Sequence, residues 1–220
     1  MSTATPPSRR TRVRSVPSRA RYDFDTLTDI IDSAWLCHIA FVSDGEPRLL
    51  PSTRWREGEY LYIHGAKASR MLKALHDSEA CVCISHVDSL VLARSAFHHS
   101  MDYRSVVAYG RFEQVQEEEA RRKALRALIE RFEPGRWDKL RPMTDKEFAA
   151  TSIWRLRLDE ASAKVRDIGV NDDDEDRSWP VWAGIVPLRL SAGEPLTAPD
   201  SAVADAPGAL RDVLDRMARR

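Results

Sequence analysis

Three runs decide the fold: Leu36-Cys37-His38-Ile39-Ala40-Phe41-Val42, then Pro47-Arg48-Leu49-Leu50-Pro51-Ser52-Thr53-Arg54, then Tyr60-Leu61-Tyr62-Ile63. Between the first two stands Asp44-Gly45, and between the last two Glu57-Gly58. Aspartate and glycine tolerate the positive backbone angles of a two-residue hairpin turn. Each run is short and rich in apolar, aromatic or β-branched residues, as strands are. Strands joined by tight turns pair antiparallel.

Reading outward, Asp25 is expected to cap a short helix with Leu27, Ile30, Ile31 and Ala34 on one face. Residues 69–75 read as a helix, with Met71, Leu72 and Leu75 inward. Strands are expected at 80–85, 90–97 and 103–115. Residues 117–132 carry the clearest helical stripe, from Ala120 through Ala124, Leu125, Leu128 and Ile129 to Phe132. Thr144 and Glu147 form a capping-box pattern. Residues 153–158 alternate like a half-buried strand, 163–165 continue it, and 180–190 hold a last extended segment. The rhythm is not βαβ and no GxGxxG loop occurs, which excludes a parallel nucleotide-binding sheet. A mainly β, closed or half-closed antiparallel barrel with peripheral helices is the architecture expected.

The chain has 220 residues, 43% hydrophobic, with 34 basic and 34 acidic side chains. That composition can bury a core, and it excludes disorder throughout. No run of about 18 apolar residues suggests a transmembrane helix. Zero net charge argues against whole-surface nucleic-acid binding; the alternative reading of the basic N-terminal arm is contact with RNA or an acidic partner. The charge is uneven, however. Residues 1–21 hold six arginines and no acid, Asp172 to Asp176 are five consecutive acids, and the last fourteen residues are again basic. The expected organisation is a disordered basic tail over 1–21, one domain over 22–190, a Pro-, Ala- and Asp-rich mobile linker over 191–206 and an amphipathic helix over 207–220. Three cysteines and the absence of an apolar leader point to the cytoplasm.

The most informative chemical stretch is His64-Gly65-Ala66-Lys67-Ala68-Ser69-Arg70. It follows a strand and opens a helix. Two cations, a hydroxyl and the free N–H groups of a helix start suit a phosphate, and Gly65 permits close approach of the backbone. His98-His99 lacks the spacing of a zinc site, and the acidic run lacks the glycine and distal glutamate of a calcium loop. No metal is expected. Cys81 and Cys83 share one strand face as small hydrophobes. Trp182, beside Gly184, offers a flat cover for core or ligand.

At these residues the sequence resembles the FMN-binding split-barrel proteins related to pyridoxamine 5′-phosphate oxidase, and among them the flavin-nucleotide-binding and nitroimidazole-resistance branch. The resemblance runs over residues 22–187. It rests on Cys37 to Val42, Tyr62 to Ala66, Leu90 to Ser100, Tyr103 to Val106, Gly135-Arg136-Trp137, Lys164-Val165-Arg166 and Trp182-Ala183-Gly184. It implies a six-stranded antiparallel split β-barrel of Greek-key type that forms a homodimer, with FMN at the interface. Arg48, Leu50, Pro51, Ser52 and Thr53 would line the flavin. Ile63, His64, Gly65, Lys67, Ser69 and Arg70 would hold its phosphate end, with Arg104, Ser105 and Trp182 nearby.

The departures from the oxidase matter. Its Ser-Arg-Lys triplet reads Ser69-Arg70-Met71 here, Thr53 replaces a lysine, and no Arg-x-His pair follows Trp182. These differences argue against oxidation of pyridoxamine phosphate. His64 becomes the candidate catalytic group. The function implied is an FMN-dependent oxidoreductase acting on a small planar substrate. The alternatives are a deazaflavin-dependent reductase or a non-catalytic flavin or haem carrier or sensor.

Overall fold

A computed structural model describes residues 5–208 and 210–213. Its centre is an antiparallel sheet built outward from the hairpin. Strand β2 (Leu36–Ser43) pairs with the first part of β3 (Glu46–Glu57), from Ser43↔Glu46 to Leu36↔Thr53. Asp44 and Gly45 both adopt positive φ, 56° and 77°, the geometry that lets a two-residue turn follow strand twist. The second part of β3, Arg54 to Glu57, instead pairs with β4 (Tyr60–Ala66). One strand thus serves both halves of a sheet curled into a split barrel.

The other strands are β1 (Ala20–Arg21), β5 (Ala80–Leu92), β6 (Ser100–Gly110), β7 (Glu113–Gln114), β8 (Thr151–Arg157), β9 (Ala161–Arg166) and β10 (Gly184–Pro187). Their order is β1-β9-β6-β5-β2-β3-β4-β8-β7, with β10 on β5. Ten strands among the described residues replace the six expected; β1 and β7 are edge pieces of two residues each, and β10 lies within the extended segment read over 180–190.

Helix α1 (Phe24–Ser33) plugs the barrel with Leu27, Ile30 and Ile31, and α2 (Arg70–Asp77) adds Leu72 and Leu75 to the same core. On the other face of β3, β4 and β8 a second core joins Trp55 and Ile153 to α3 (Glu118–Phe132) and α4 (Asp145–Ala150). The capping box of Thr144 and Glu147 is present. Asp23, rather than Asp25, caps α1, accepting from the Thr26 N–H at 2.8 Å. Asp25 stands in the first turn, where the helix dipole favours an acid.

Two strand expectations change. Residues 80–97 do not form two strands. β5 runs unbroken through the polar stretch because a bulge between Val87 and Ser89 absorbs one residue. The segment read as a strand over 103–115 is β6 followed by the separate β7.

The basic N-terminal segment is likewise no free tail over the described residues. Ser8 and Arg10 bond to Glu160, Thr11 is 2% exposed, and β1 pairs with β9. Residues 191–206 contain no helix or strand. Residues 208 and 210–213 are helical, and the remainder of the expected last helix lies outside the described residues.

Candidate functional site

The β2–β3 hairpin overhangs the barrel. Along β3 the side chains pass from fully buried at Arg54 to 62% exposed at Leu49. At this free end Phe41, Arg48, Leu49 and Leu50 meet Arg70 and Met71 of α2 around a depression of about 460 Å³. Arg70 is the first residue of α2, and it is exposed with no side-chain partner among the described residues. Arg48 pairs with Glu46 at 2.5 Å. The Ser69 hydroxyl caps α2 by accepting from the Leu72 N–H at 3.4 Å. Lys67 is exposed and does not line the depression.

Gly65 has a packing reason. A Cβ there would stand 3.0 Å from Leu72 Cδ1, so its absence lets α2 close onto the end of β4. The positive helix start, two guanidiniums and two exposed leucines together suit an anion attached to an apolar plane.

Side chains alternate along a strand, so Leu49, Pro51 and Thr53 share one face of β3 and Arg48, Leu50 and Ser52 the other. Continuing the β3–β4 register one step places His64 across from Thr53. Ile63, by contrast, is buried in the barrel core. The His64 ring lies 6.0 Å from that of Trp55, its Nδ1 is buried without a hydrogen-bond partner, and burial lowers its pKa. Burial therefore favours the neutral imidazole of His64, which stands on the Thr53 face with Nδ1 unsatisfied.

A second depression, of about 380 Å³, lies at the opposite end of the hairpin, where Trp35, Leu36 and His38 face His86, Arg104 and Leu188 to Leu190. Burial is the chief cause that lowers the pKa of His86 and favours its neutral form. Its Nε2 donates to the Ile30 carbonyl at 3.1 Å. Arg104, which the resemblance placed near the flavin, is paired within the sheet. The bulged β5 brings Asp88 against it, with Nε and Nη2 within 3.2 Å of the carboxylate. Ser105 donates to the Lys164 carbonyl at 3.4 Å. Trp182 is 64% exposed and lines neither depression. Its ring fills the space beside Gly184, where a Cβ would fall 2.6 Å from Cζ2.

The site residues therefore separate. Arg48, Leu50 and Arg70 come together; Pro51, Thr53 and His64 share a face beside them; Arg104 and Trp182 stand apart. Sequence reasoning missed the grouping of Trp35, His38, His86 and Leu188 to Leu190, because these residues come from three distant segments with no common spacing. It also treated the two histidines and the acidic run separately. The fold joins them: His98 Nε2 is 3.1 Å from Asp173 Oδ2, and the ligand atoms of His98, Asp173 and Asp176 all lie within 4.8 Å of one another. His99 is exposed and donates from Nδ1 to the Ser95 carbonyl at 2.9 Å, which leaves Nε2 as a lone-pair donor.

A family model described as pyridoxamine 5′-phosphate oxidase matches residues 23–165. Among curated proteins nothing matches. Among solved structures, the flavocytochrome Anf3 from Azotobacter vinelandii is 37% identical over 94% of this chain and 97% of its own, with a TM-score of 0.89. The FAD and haem binding protein from Mycobacterium smegmatis is 38% identical over 89% of this chain and 97% of its own, with a TM-score of 0.83. A candidate 5-nitroimidazole antibiotic resistance protein from Bacteroides thetaiotaomicron shares the fold at 21% identity, 66% and 86% coverage and a TM-score of 0.57. No helix among the described residues is long and apolar enough to cross a membrane.

Proposed function

This chain belongs to the pyridoxamine 5′-phosphate oxidase family, and from that premise we propose that it binds a flavin nucleotide at the free end of the β2–β3 hairpin and works as a homodimeric oxidoreductase on a small planar substrate. The observation that carries the reading is that Arg48 and Arg70, the latter without a side-chain partner among the described residues, line one depression at the start of α2 with exposed Leu49 and Leu50.

Arg70 and the first N–H groups of α2 would hold the flavin phosphate. Leu49, Pro51 and Thr53 would give the ring an apolar strand face to lie on. His64, neutral and with Nδ1 unsatisfied, would supply one hydrogen bond to the flavin or to a substrate stacked on it. When bound, the flavin supplies the hydride or electron transfer, and the protein supplies position and electrostatics. The resemblance favours FMN, and the name of the mycobacterial relative favours FAD. Both carry the ring and first phosphate that this site would take.

The homodimer is supported by apolar side chains left open on the sheet: Leu36, Val42, Leu49, Val87 and Met101 are each 44–62% exposed. Apolar side chains left exposed on one sheet call for a cover, and a second copy would also complete the wall of the flavin site. The free thiols of Cys37, Cys81 and Cys83 suit the cytoplasm.

The test is the absorbance spectrum of the untreated protein, with chromatography of the released cofactor. Arg70→Ala should weaken flavin binding about 10–100-fold, the worth of a charged hydrogen bond. An unchanged dissociation constant would remove Arg70 from the site. Turnover of NAD(P)H with an electron acceptor separates an oxidoreductase from a carrier.

A second group, haem, is favoured by one observation. The carbonyl of Ser95 fixes the Nδ1 of His99 and leaves its Nε2 free, the arrangement by which proteins orient an imidazole for a metal. The names of the two most identical relatives above agree with it. A Soret band that His99→Ala abolishes, with flavin content unchanged, is the expected result. A Soret band that survives His99→Ala removes His99 as the ligand.

A further inference from the structure

The N-terminal arm concentrates positive charge in a way that neither the barrel nor the hairpin site needs. It is pinned from several sides. Ser8 Oγ donates to Glu160 at 2.7 Å, Arg10 reaches Glu160 at 2.9 Å and Glu79 at 2.8 Å, and the Val13 N–H donates to Tyr22 Oη at 2.9 Å. The Arg10 guanidinium also lies over the Tyr109 ring, 5.3 Å from its centroid. Arg10 is thus an anchor, its charge offset by two carboxylates.

Arg9, Arg12 and Arg14 differ. They line one shallow depression with Arg10, all three are exposed, and none has a carboxylate partner among the described residues. No acid occurs anywhere in residues 1–21 to dilute them. Like charges closer than a Debye length repel, and an unconstrained arm would let them spread. A pinned backbone holds them together, which is unfavourable unless an anion completes the arrangement.

We propose that Arg9, Arg12 and Arg14 form a binding site for a compact oligophosphate, such as the triphosphate chain of a nucleotide. Guanidinium groups bind phosphate oxygens in bidentate fashion. Three of them on a short, fixed stretch match several adjacent phosphates better than a lone one. Glu79 and Glu160, which hold Arg10, keep the positive field local, so a compact anion fits better than an extended strand. The site is independent of the flavin reading, since Arg48 and Arg70 take no part in it.

The test is calorimetric titration of the full chain with sodium tripolyphosphate. Saturable binding is expected, weakening steeply between 50 and 300 mM salt, roughly as counterion release requires. The triple variant Arg9→Gln/Arg12→Gln/Arg14→Gln keeps the Arg10 anchor. It should bind about tenfold more weakly or worse, with melting temperature and flavin absorbance unchanged. Three results overturn the proposal: no binding by the wild type, equal binding by the triple variant, or binding of a twelve-nucleotide RNA that tripolyphosphate does not displace.

Discussion

Removing the carboxylate of Asp102 should destabilise the fold more than any surface change. Asp102 is 7% exposed and Arg166 is 4% exposed, on neighbouring strands β6 and β9. Arg166 Nη1 donates to Asp102 Oδ1, the Ser89 hydroxyl to Oδ2 at 2.9 Å, and the Gly169 N–H to Oδ1 at 3.4 Å. Asp102→Ala leaves the Arg166 guanidinium buried with only the Gly169 carbonyl, 3.0 Å from Nη2. Breaking one side of a buried pair costs about 3–5 kcal/mol, because an uncompensated charge stays inside. Against a typical total of about 5–15 kcal/mol that is a large share. For a chain of this size it corresponds to a fall in Tm of roughly 6–20 °C.

Urea unfolding followed by tryptophan fluorescence measures the loss directly. The double variant Asp102→Leu/Arg166→Met should recover most of it, since an apolar pair of similar volume needs no counter-charge. A loss below about 1 kcal/mol in Asp102→Ala, or a double variant no better than the single, would refute the reasoning.

Three further outcomes are expected. Arg54 is fully buried, its Nε and Nη1 make no hydrogen bond, and its one carboxylate neighbour among the described residues, Asp32 at 3.9 Å from Nη1, is already held by Arg56; burial together with Arg131 pushes its pKa down, and both arginines donate to the Ala34 carbonyl. Arg54→Met should therefore leave stability equal or higher by denaturant midpoint, and a loss of about 3 kcal/mol would contradict this. Gly184→Ala must displace the exposed Trp182 ring, so its emission should shift while Tm falls by only a few degrees. Burial lowers the pKa of both His64 and His86. The unfolded chain then binds their protons near its ordinary value of about 6.5 while the folded one resists. Stability should fall as pH drops from 7 to 5, and the slope should flatten in His64→Gln/His86→Gln.

What the sequence made legible was local. Asp44-Gly45 announced the central hairpin because a two-residue turn leaves few residue choices, and Thr144 with Glu147 announced α4 because a capping box lies within four residues. Arg70 could be assigned to a helix start for the same reason. What stayed hidden depends on register between distant strands. Nothing near Arg104 shows that a bulge at Val87 and Ser89 will bring Asp88 to it. The segment over residues 9–14 reads as a solvated tail because the carboxylates that anchor Arg10, Glu79 and Glu160, lie far along the chain. Polar residues inside β5 looked like a break because their partners are contributed by α1 and β6.

That β3 belongs to two sheet halves also bears on the order of folding. The β2–β3 and β3–β4 pairings need only tight turns, so their loop-closure cost is small. The β4–β8 ladder joins Tyr60 to Arg157 across β5, β6 and α3, and it must wait for a long closure. The meander is thus the natural nucleus, and substitutions at Ile39 or Leu61 should slow folding. Those at Ile153 in β8 should chiefly speed unfolding, a partition that chevron kinetics would resolve.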